Sequence, residues 1–186
     1  VAMSGAKPLY LSVGFVLEEG FALKDFHRVL VSMEAAAKKA GVRIVTGDTK
    51  VVGKNSCDKI FINTSGIGVI ADGVSISCKK LVAGDKILLS GSLADHGMAV
   101  MTKREGLSFQ SEILSDTAPL GQLVEKMLSV TPEIHAMRDP TRGGLATTLN
   151  EFAKSSSVGI QLYEEKIPVR EDVRGACEML GIDPLY

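Results

Sequence analysis

Apolar and polar positions alternate at the start of the chain, which indicates a β-strand. The alternation extends from Leu9 to Leu17. Because successive side chains of a strand point to opposite faces, we expect one face of this strand to be buried. From Ala22 the apolar positions follow helical spacing instead, on one stripe that ends before a Gly41 suited to cap the helix. The pattern therefore predicts a strand followed by an amphipathic helix.

The next segment has the pattern of short strands separated by polar turns. We expect an apolar strand at residues 42–46, followed by the turn Gly47-Asp48-Thr49-Lys50. Val51-Val52 and residues 59–70 are then predicted to be the two arms of a hairpin, joined through Gly53-Lys54-Asn55.

Strand and helix patterns alternate through the second half of the chain. Strands are expected at residues 86–89, 134–137 and 158–162. Helices are expected from about His96, over 118–128, from Asp139 and over 171–180. Asp139 suits the N-cap of its helix, and Pro140 suits the first helical position. Strands interspersed with helices predict an α+β fold in two layers.

Composition places the chain among globular proteins and excludes several classes. Of its 186 residues, 45% are hydrophobic and 23% are charged, which is typical of a domain with its own core. The 21 Lys and Arg against 22 Asp and Glu leave a formal charge of −1, without the excess cation of a nucleic-acid binder. No apolar run approaches the ~20 residues that cross a bilayer, and no charged-then-apolar leader opens the chain. We therefore expect a cytoplasmic protein with no nucleic-acid or membrane partner.

Charge is divided unevenly between the two parts of the chain. Residues 1–84 carry 11 basic and 7 acidic side chains, and residues 85–186 carry 10 basic and 15 acidic ones. Together with a change of pattern at Gly84-Asp85, this favours an N-terminal domain at 1–84 and a C-terminal domain at 85–186. The chain begins at Val1, directly in motif-like sequence, so we expect it to be a piece of a longer protein.

The first candidate site is Gly47-Asp48-Thr49-Lys50, which brings a carboxylate, a hydroxyl and an ammonium group together after a buried strand. Loops in this position commonly bind ligands. Asp48 could hold Mg²⁺ there, and Lys50 could meet a phosphate as a point charge. An Asp-initiated turn with an exposed lysine explains the same residues. Four residues alone do not decide between the two interpretations.

A stronger candidate is the segment Arg138-Asp139-Pro140-Thr141-Arg142-Gly143-Gly144. At a helix start, exposed N–H groups, the helix dipole and two guanidinium groups favour an anion, and the carboxylate can hold a metal. Two glycines in the first turn cost roughly 1 kcal/mol each relative to alanine. Close approach of the backbone to a ligand would explain that cost. An ordinary Asp-Pro helix start with solvated arginines is the alternative.

The histidines and cysteines give weaker signals. His96 lies in a Gly-rich stretch after a predicted strand, and it is either a proton carrier or a helix-start histidine bonded to the backbone. Cys177 lies on a predicted helix with no activating cation, which favours structural burial. The three cysteines, Cys57, Cys78 and Cys177, have no close spacing, which argues against a disulfide framework.

Five blocks of the chain together resemble one family. They are Val1 to Pro8, Val45 to Val52, Gly84 to Gly97, Arg138 to Leu145, and Ala176 to Tyr186. The blocks Gly-Asp-Thr-Lys-Val-Val and Asp-Pro-Thr-Arg-Gly-Gly are specific when they occur together. On these residues the chain resembles the HypE family, the carbamoyl dehydratases of nickel-iron hydrogenase maturation, within the aminoimidazole ribonucleotide synthetase superfamily.

The resemblance implies a fold, a reaction and partners. The implied fold has two layered α/β subdomains, and the N-terminal parts of two copies pair their sheets in a homodimer with ATP near the interface. In the implied reaction, ATP phosphorylates a carbamoyl group on the family's C-terminal cysteine, and loss of phosphate leaves an S-cyano group. Since that group becomes a cyanide ligand of iron, a carbamoyltransferase and an iron-carrying scaffold protein are the implied partners.

The matching motifs also imply site residues. Asp48 and Asp139 match acids expected to bind Mg²⁺ with ATP, and Lys50 matches a catalytic lysine expected near the reacting phosphate or the C-terminal tail. The residues that would bind the nucleotide are Asp48, Thr49, Arg142, Gly143 and Gly144. The two acidic segments are thus expected to converge on one magnesium–triphosphate group. The family's acidic segment before Val1 and its terminal cysteine are not in this sequence, so we expect the piece alone to be inactive.

Two other functions remain open from the sequence. One is a sibling ATP-using enzyme of the selenophosphate synthetase, thiamine-monophosphate kinase or aminoimidazole ribonucleotide synthetase type. The other is a non-catalytic module that dimerises or docks a maturation partner without nucleotide. A dimer whose stability ignores ATP and Mg²⁺ would favour the module, because a ligand that binds only the native state must raise its stability.

Overall fold

The computed structural model describes residues 1–107 and 112–186, which divide into two compact units. The first unit contains Val1–Ser75 and Pro119–Ile134, and the second contains Ile76–Ala118 and His135–Tyr186. The predicted boundary between residues 84 and 85 falls inside the second unit, and residues 119–134 belong to the first.

The described residues form an α+β fold, the class predicted from the sequence. The strands are β1 (Ala6–Glu18), β2 (Arg43–Val52) and β3 (Ile60–Ile70). The helices are α1 (Leu23–Ala40), α2 (Asp95–Arg104), α3 (Gly121–Val130), α4 (Gly144–Ser156) and α5 (Glu171–Leu180). None of these helices is long and apolar enough to span a lipid bilayer.

A three-stranded sheet with β1 in the centre organises the first unit. The strand order is β2-β1-β3, with β2 parallel and β3 antiparallel to β1. The alternation predicted for β1 is present, because Val13, Phe15 and Leu17 are buried on one face. Each such side chain contributes roughly 1.5–3 kcal/mol by leaving water.

Helix α1 covers this buried face of the sheet. Phe26, Val29 and Met33, which share its apolar stripe, pack against the buried residues of β1. The rings of Phe15 and Phe26 meet edge to face, with their centroids 5.1 Å apart. Gly41 ends the helix in the left-handed conformation at φ 68°, so the predicted helix and its cap are confirmed.

Two predictions for the first unit were wrong. Gly47 to Lys50 do not form a turn, because β2 continues through them and pairs in register with Val13 to Val16 of β1. Residues 51–52 and 60–70 do not form a hairpin, because β1 lies between β2 and β3. The backbone hydrogen bonds offered by a long central strand outweigh the local turn preference of Gly and Asp.

The second unit is built on helices. Met98 of α2 packs with Val173, Ala176 and Cys177 of α5 and with Ile113. A second cluster joins Leu145 and Leu149 of α4 to Leu93. The predicted apolar stripe of α4 is therefore buried as expected, and α5 has its predicted bounds with Gly181 as its cap.

The strands predicted for the second unit, at residues 86–89, 134–137 and 158–162, are absent from its described residues. An apolar run becomes a strand only where a partner backbone completes a ladder. Near the second of these segments Ser77 donates an isolated backbone hydrogen bond to His135, at 2.8 Å. Such a bond does not make a ladder.

The start of α4 also differs from the prediction. Asp139 and Pro140 precede the helix, whose N-cap is Gly143 and whose first residue is Gly144. Both glycines have positive φ, 76° and 58°. Residues in that conformation cannot continue a right-handed helix backwards, so the helix cannot begin at Asp139.

The second of the two glycines, Gly144, is required by a contact with Leu185. The Leu185 carbonyl accepts a hydrogen bond from the Ala146 N–H, at 2.9 Å. It thereby satisfies one of the free N–H groups of the first turn of α4. A Cβ atom on Gly144 would lie 2.5 Å from the Leu185 oxygen, so only glycine permits this approach.

Replacing Gly144 by alanine is expected to lower the free energy of unfolding by about 1–3 kcal/mol, through the strained φ and the clash with Leu185. Denaturant titration followed by circular dichroism measures the change. Gly175→Ala is the matched control, since Gly175 lies in α5 with open space around the missing Cβ. Alanine there should stabilise the chain by about 0.5–1 kcal/mol. Equal stability of Gly144→Ala and the unaltered chain would contradict this account.

Candidate functional site

The face of the sheet opposite α1 carries a row of polar residues. Gly14 of β1 pairs with Asp48 of β2 on one side and with Asn63 of β3 on the other. Lys50 lies two residues further along β2, opposite Val16. Because side chains alternate along each strand, these residues share a face that excludes the buried Val13, Phe15 and Leu17. We call this surface the open face.

The centre of the open face is a groove of about 360 Å³, lined by Gly14, Val16, Asp48, Lys50, Phe61 and Asn63 of that face and by Phe15 and Ile62, which adjoin them along β1 and β3. Gly14 contributes no side chain, so its backbone forms the floor between Asp48 and Asn63. A Cβ atom on Gly14 would have the Asn63 backbone oxygen, at 4.0 Å, as its nearest neighbour. A side chain at position 14 would therefore enter the groove.

The charged groups of the groove are available for a ligand. Asp48 and Lys50 are both exposed, and within the described part of the chain neither takes part in an ion pair. One Asp48 oxygen accepts the Thr49 N–H, at 2.8 Å. Thr49 pairs with Phe15, which directs its side chain to the opposite face from Asp48 and Lys50. The main-chain amide of Thr49 thus holds the carboxylate, while its hydroxyl lies away from the groove.

The carboxylates fit a particular kind of metal binding. Among residues 1–107 and 112–186, no three His, Cys, Asp or Glu side chains are grouped closely enough to hold a metal ion. An all-protein metal site is therefore not formed by these residues. Mg²⁺ keeps most of its water and phosphate ligands and uses only one or two carboxylates. A single carboxylate such as Asp48 or Asp139 matches that requirement.

In the second unit, the segment before α4 is exposed but partly engaged. Arg138 donates to Glu151 of α4, with an Nη1–Oε2 distance of 2.8 Å. Asp139 and Arg142 are exposed, and the structure gives neither an ion pair with another described residue. The Ala146 N–H at the helix start already binds Leu185. Of the predicted anion-binding groups, Arg142 is therefore the available guanidinium.

The structure brings Asp48 and Lys50 together, as predicted, but on a strand instead of a turn. Asp139, Arg142, Gly143 and Gly144 lie in the other unit. The expectation that Asp48 and Asp139 share one magnesium–triphosphate group stays a prediction. Sequence reasoning missed Gly14 and Asn63, because the wrongly predicted hairpin placed β3 beside β2 and not across β1.

A second polar cluster lies at the end of β1. Glu18 is buried and accepts hydrogen bonds from the Lys59 ammonium and the Asn55 N–H, both at 2.8 Å. These two donors lower the pKa of Glu18, and Glu18 in turn raises the pKa of Lys59. The cluster ties the loop between β2 and β3 to β1. Burial raises the pKa of Cys57 in this loop, which argues against a reactive thiolate.

The contacts of His96 and Cys177 bear on the weaker predictions. The Nδ1 of His96 lies 2.9 Å from the Ser115 hydroxyl, and the choice between a proton carrier and a structural histidine stays a prediction. Cys177 is buried in the core, and burial raises the pKa of its thiol. The structural interpretation of Cys177 is therefore confirmed. A hydrogen bond that the sequence did not reveal joins His135 Nδ1 to the Asp85 carboxylate, at 2.8 Å.

Two family models match most of the chain. The AIR synthase related protein, N-terminal domain, matches residues 1–70. The AIR synthase related protein, C-terminal domain, matches residues 82–186.

Curated relatives are similar over the whole chain. The carbamoyl dehydratase HypE of Azotobacter vinelandii is 56% identical over 186 residues, which cover 100% of this chain and 54% of that protein. The carbamoyl dehydratase HypE of Escherichia coli (strain K12) is 46% identical over 185 residues, which cover 100% of this chain and 55% of that protein. The chain spans about half the length of the curated relatives it matches.

Solved structures give the same result. The hydrogenase maturation protein HypE in complex with ATP has a TM-score of 0.97 and 52% identity, covering 100% of this chain and 56% of that one. A chain of a HypE-HypF complex has a TM-score of 0.96 and 55% identity, covering 100% and 61%. The thiamine monophosphate kinase of Aquifex aeolicus, with a TM-score of 0.77 and 18% identity over 98% of this chain and 61% of that one, shares the fold.

Proposed function

We propose a function for this chain that starts from its family, since it belongs to the AIR synthase-related proteins. In this proposal, it supplies the nucleotide-binding part of an ATP-dependent carbamoyl dehydratase of nickel-iron hydrogenase maturation. The observation that carries the proposal is the 56% identity to a carbamoyl dehydratase over the full length of this chain. A similar structure at 52% identity holds ATP, and the groove beside Asp48 and Lys50 offers exposed charges for a phosphate ligand.

The proposed reaction removes the elements of water from a carbamoyl group carried on a cysteine sulfur. The carbonyl oxygen attacks the γ-phosphorus of ATP, and ADP leaves. The C–O bond then breaks, phosphate departs, and the two protons on nitrogen are lost to leave S–C≡N. Such a reaction depends on positioning and on neutralising phosphate charge more than on a strong nucleophile.

The first unit supplies two charged side chains in this proposal. The Asp48 carboxylate, held by the Thr49 N–H, binds Mg²⁺ that accompanies ATP. The Lys50 ammonium, on the same face of β2, lies against the transferred phosphate and acts as the catalytic lysine. Magnesium, when bound, neutralises charge on the phosphate oxygens.

The second unit supplies the groups around the start of α4. Asp139 is the second carboxylate for Mg²⁺, and Arg142 pairs with phosphate oxygens through its guanidinium. The exposure of both side chains supports these roles. Gly143 and Gly144 keep the backbone free of side chains beside Arg142, and Gly144 in addition lies against Leu185.

ATP affinity in the presence of Mg²⁺ is expected to fall at least about tenfold in Asp48→Asn and in Asp139→Asn, since each loses a charged metal ligand while keeping its shape. Isothermal titration with and without Mg²⁺ measures the affinity. Asp72→Asn is the control, because Asp72 is exposed and lies outside the proposed site. Its affinity should match that of the unaltered chain. Unchanged affinity in both test variants would overturn the metal roles.

We further propose that two copies of the chain form a homodimer through their first units. Beyond the groove, strand β3 carries large apolar side chains that are exposed on the open face, with Ile67 at 68% and Val69 at 59%. A monomer gains nothing by exposing such a group of side chains, and contiguous apolar surface marks interaction sites. The sheet of a second copy is the proposed partner.

Sedimentation velocity tests the homodimer. The unaltered chain is expected to sediment as a dimer, and Ile67→Glu as a monomer, because the variant buries an unpaired charge in the interface. Leu23→Glu serves as the control, since Leu23 is exposed at the start of α1, on the other side of the sheet. That variant should remain dimeric. A monomeric unaltered chain at all concentrations would refute the proposal.

The proposed protein partners are the two that the reaction requires. A carbamoyltransferase loads the cysteine, and an iron-carrying scaffold protein receives the cyanide. The first is supported by a similar chain that was solved in a HypE-HypF complex. These partners and the reaction imply that the protein works in the cytoplasm.

A further inference from the structure

The groove holds one polar side chain that the proposed function does not yet use. Asn63 lies directly across Gly14 from Asp48. It is exposed, and no hydrogen bond joins its carboxamide to any other side chain or backbone group that the structure describes. Neighbouring strands lie about 4.8 Å apart, so the backbones of Asp48 and Asn63 are about two spacings, or 10 Å, apart. Gly14, which pairs with both residues, lies between them on β1.

The chemistry of Asn63 differs from that of the other groove residues. Asp48 and Lys50 carry charge and suit a metal ion and a phosphate. A neutral carboxamide has one acceptor oxygen and one NH₂ donor. That pair of groups is complementary to another planar amide. A carbamoyl group, –CO–NH₂, has the same acceptor and donor in the reverse order.

We propose that Asn63 binds the carbamoyl group through its carboxamide, and that Gly14 keeps the space for this group open between Asn63 and Asp48. The inference rests on the proposed carbamoyl dehydratase function. The Asn63 oxygen accepts an N–H of the carbamoyl group. The carbonyl oxygen of the carbamoyl group is then directed toward the side of the groove where Asp48 and Lys50 hold the phosphate. Asn63 is neutral and is not a base, so it orients the nitrogen without removing its protons.

The geometry makes Gly14 a clean test position. Its φ is not positive, and a Cβ there would have no heavy atom nearer than 4.0 Å. Gly14→Ala should therefore fold, while its methyl group occupies the floor of the groove. Ser65→Ala is the matched control on β3, because Ser65 shares the face of Asn63 but pairs with Ser12, beyond the residues that line the groove.

The experiment uses the carbamoylated full-length protein, with two measurements on each variant. Titration gives the affinity for ATP with Mg²⁺, and single-turnover phosphate release gives the rate of dehydration. Asn63→Ala and Gly14→Ala are expected to bind ATP within about twofold of the unaltered protein and to lose at least about tenfold in rate, the scale of one hydrogen bond. Ser65→Ala should retain both.

Each other outcome has a definite meaning. An unchanged rate in Asn63→Ala, with ATP binding intact, would overturn the inference and leave the proposed function standing. A parallel loss of ATP affinity in Asn63→Ala would also overturn it, because Asn63 would then belong to the nucleotide site. Failure of the unaltered protein to bind ATP would instead overturn the proposed function, and the inference with it.

Discussion

The structure of the first unit depends on β1 being hydrogen-bonded along both of its edges. Side chains of a central strand alternate between the two faces of the sheet. In β1 one face is buried and the other lines the groove. Val13, Phe15 and Leu17 enter the core under α1, whereas Gly14 and Val16 face the groove. Since a shift of one residue would exchange the faces, the buried set also fixes the register. The position of Asp48 and Lys50 on the open face follows from the same register.

In the second unit, polar backbone groups impose the corresponding constraint. The first turn of α4 has N–H groups without helical partners, and the Leu185 carbonyl binds one of them. That contact requires glycine at position 144 whether or not a ligand is bound. A glycine that lowers helix propensity can thus be needed both for the fold and for the proposed site. Arg142 and Asp139 remain exposed beside it, which is why they stay the candidates for phosphate and metal.

The sequence predicted the elements whose structure depends on local signals. Helix α1 has a continuous apolar stripe and a capping glycine, and α5 has the same features, so both were predicted correctly. The turn at Asp48 and the strands of the second unit were wrong, because a strand depends on partners that are distant along the chain. The resemblance to the HypE family is confirmed by relatives at 56% and 46% identity. Asn63 was not predictable, since only the strand order places it across Gly14 from Asp48.

Residue-specific lysine acylation, read by mass spectrometry, tests most directly whether the open face binds the nucleotide. Lys50 is exposed on that face, and Lys39 is exposed at the end of α1. If the account is right, ATP with Mg²⁺ slows acylation of Lys50 severalfold and leaves Lys39 unchanged. Equal rates at Lys50 with and without the nucleotide, under conditions where ATP is bound, would contradict it.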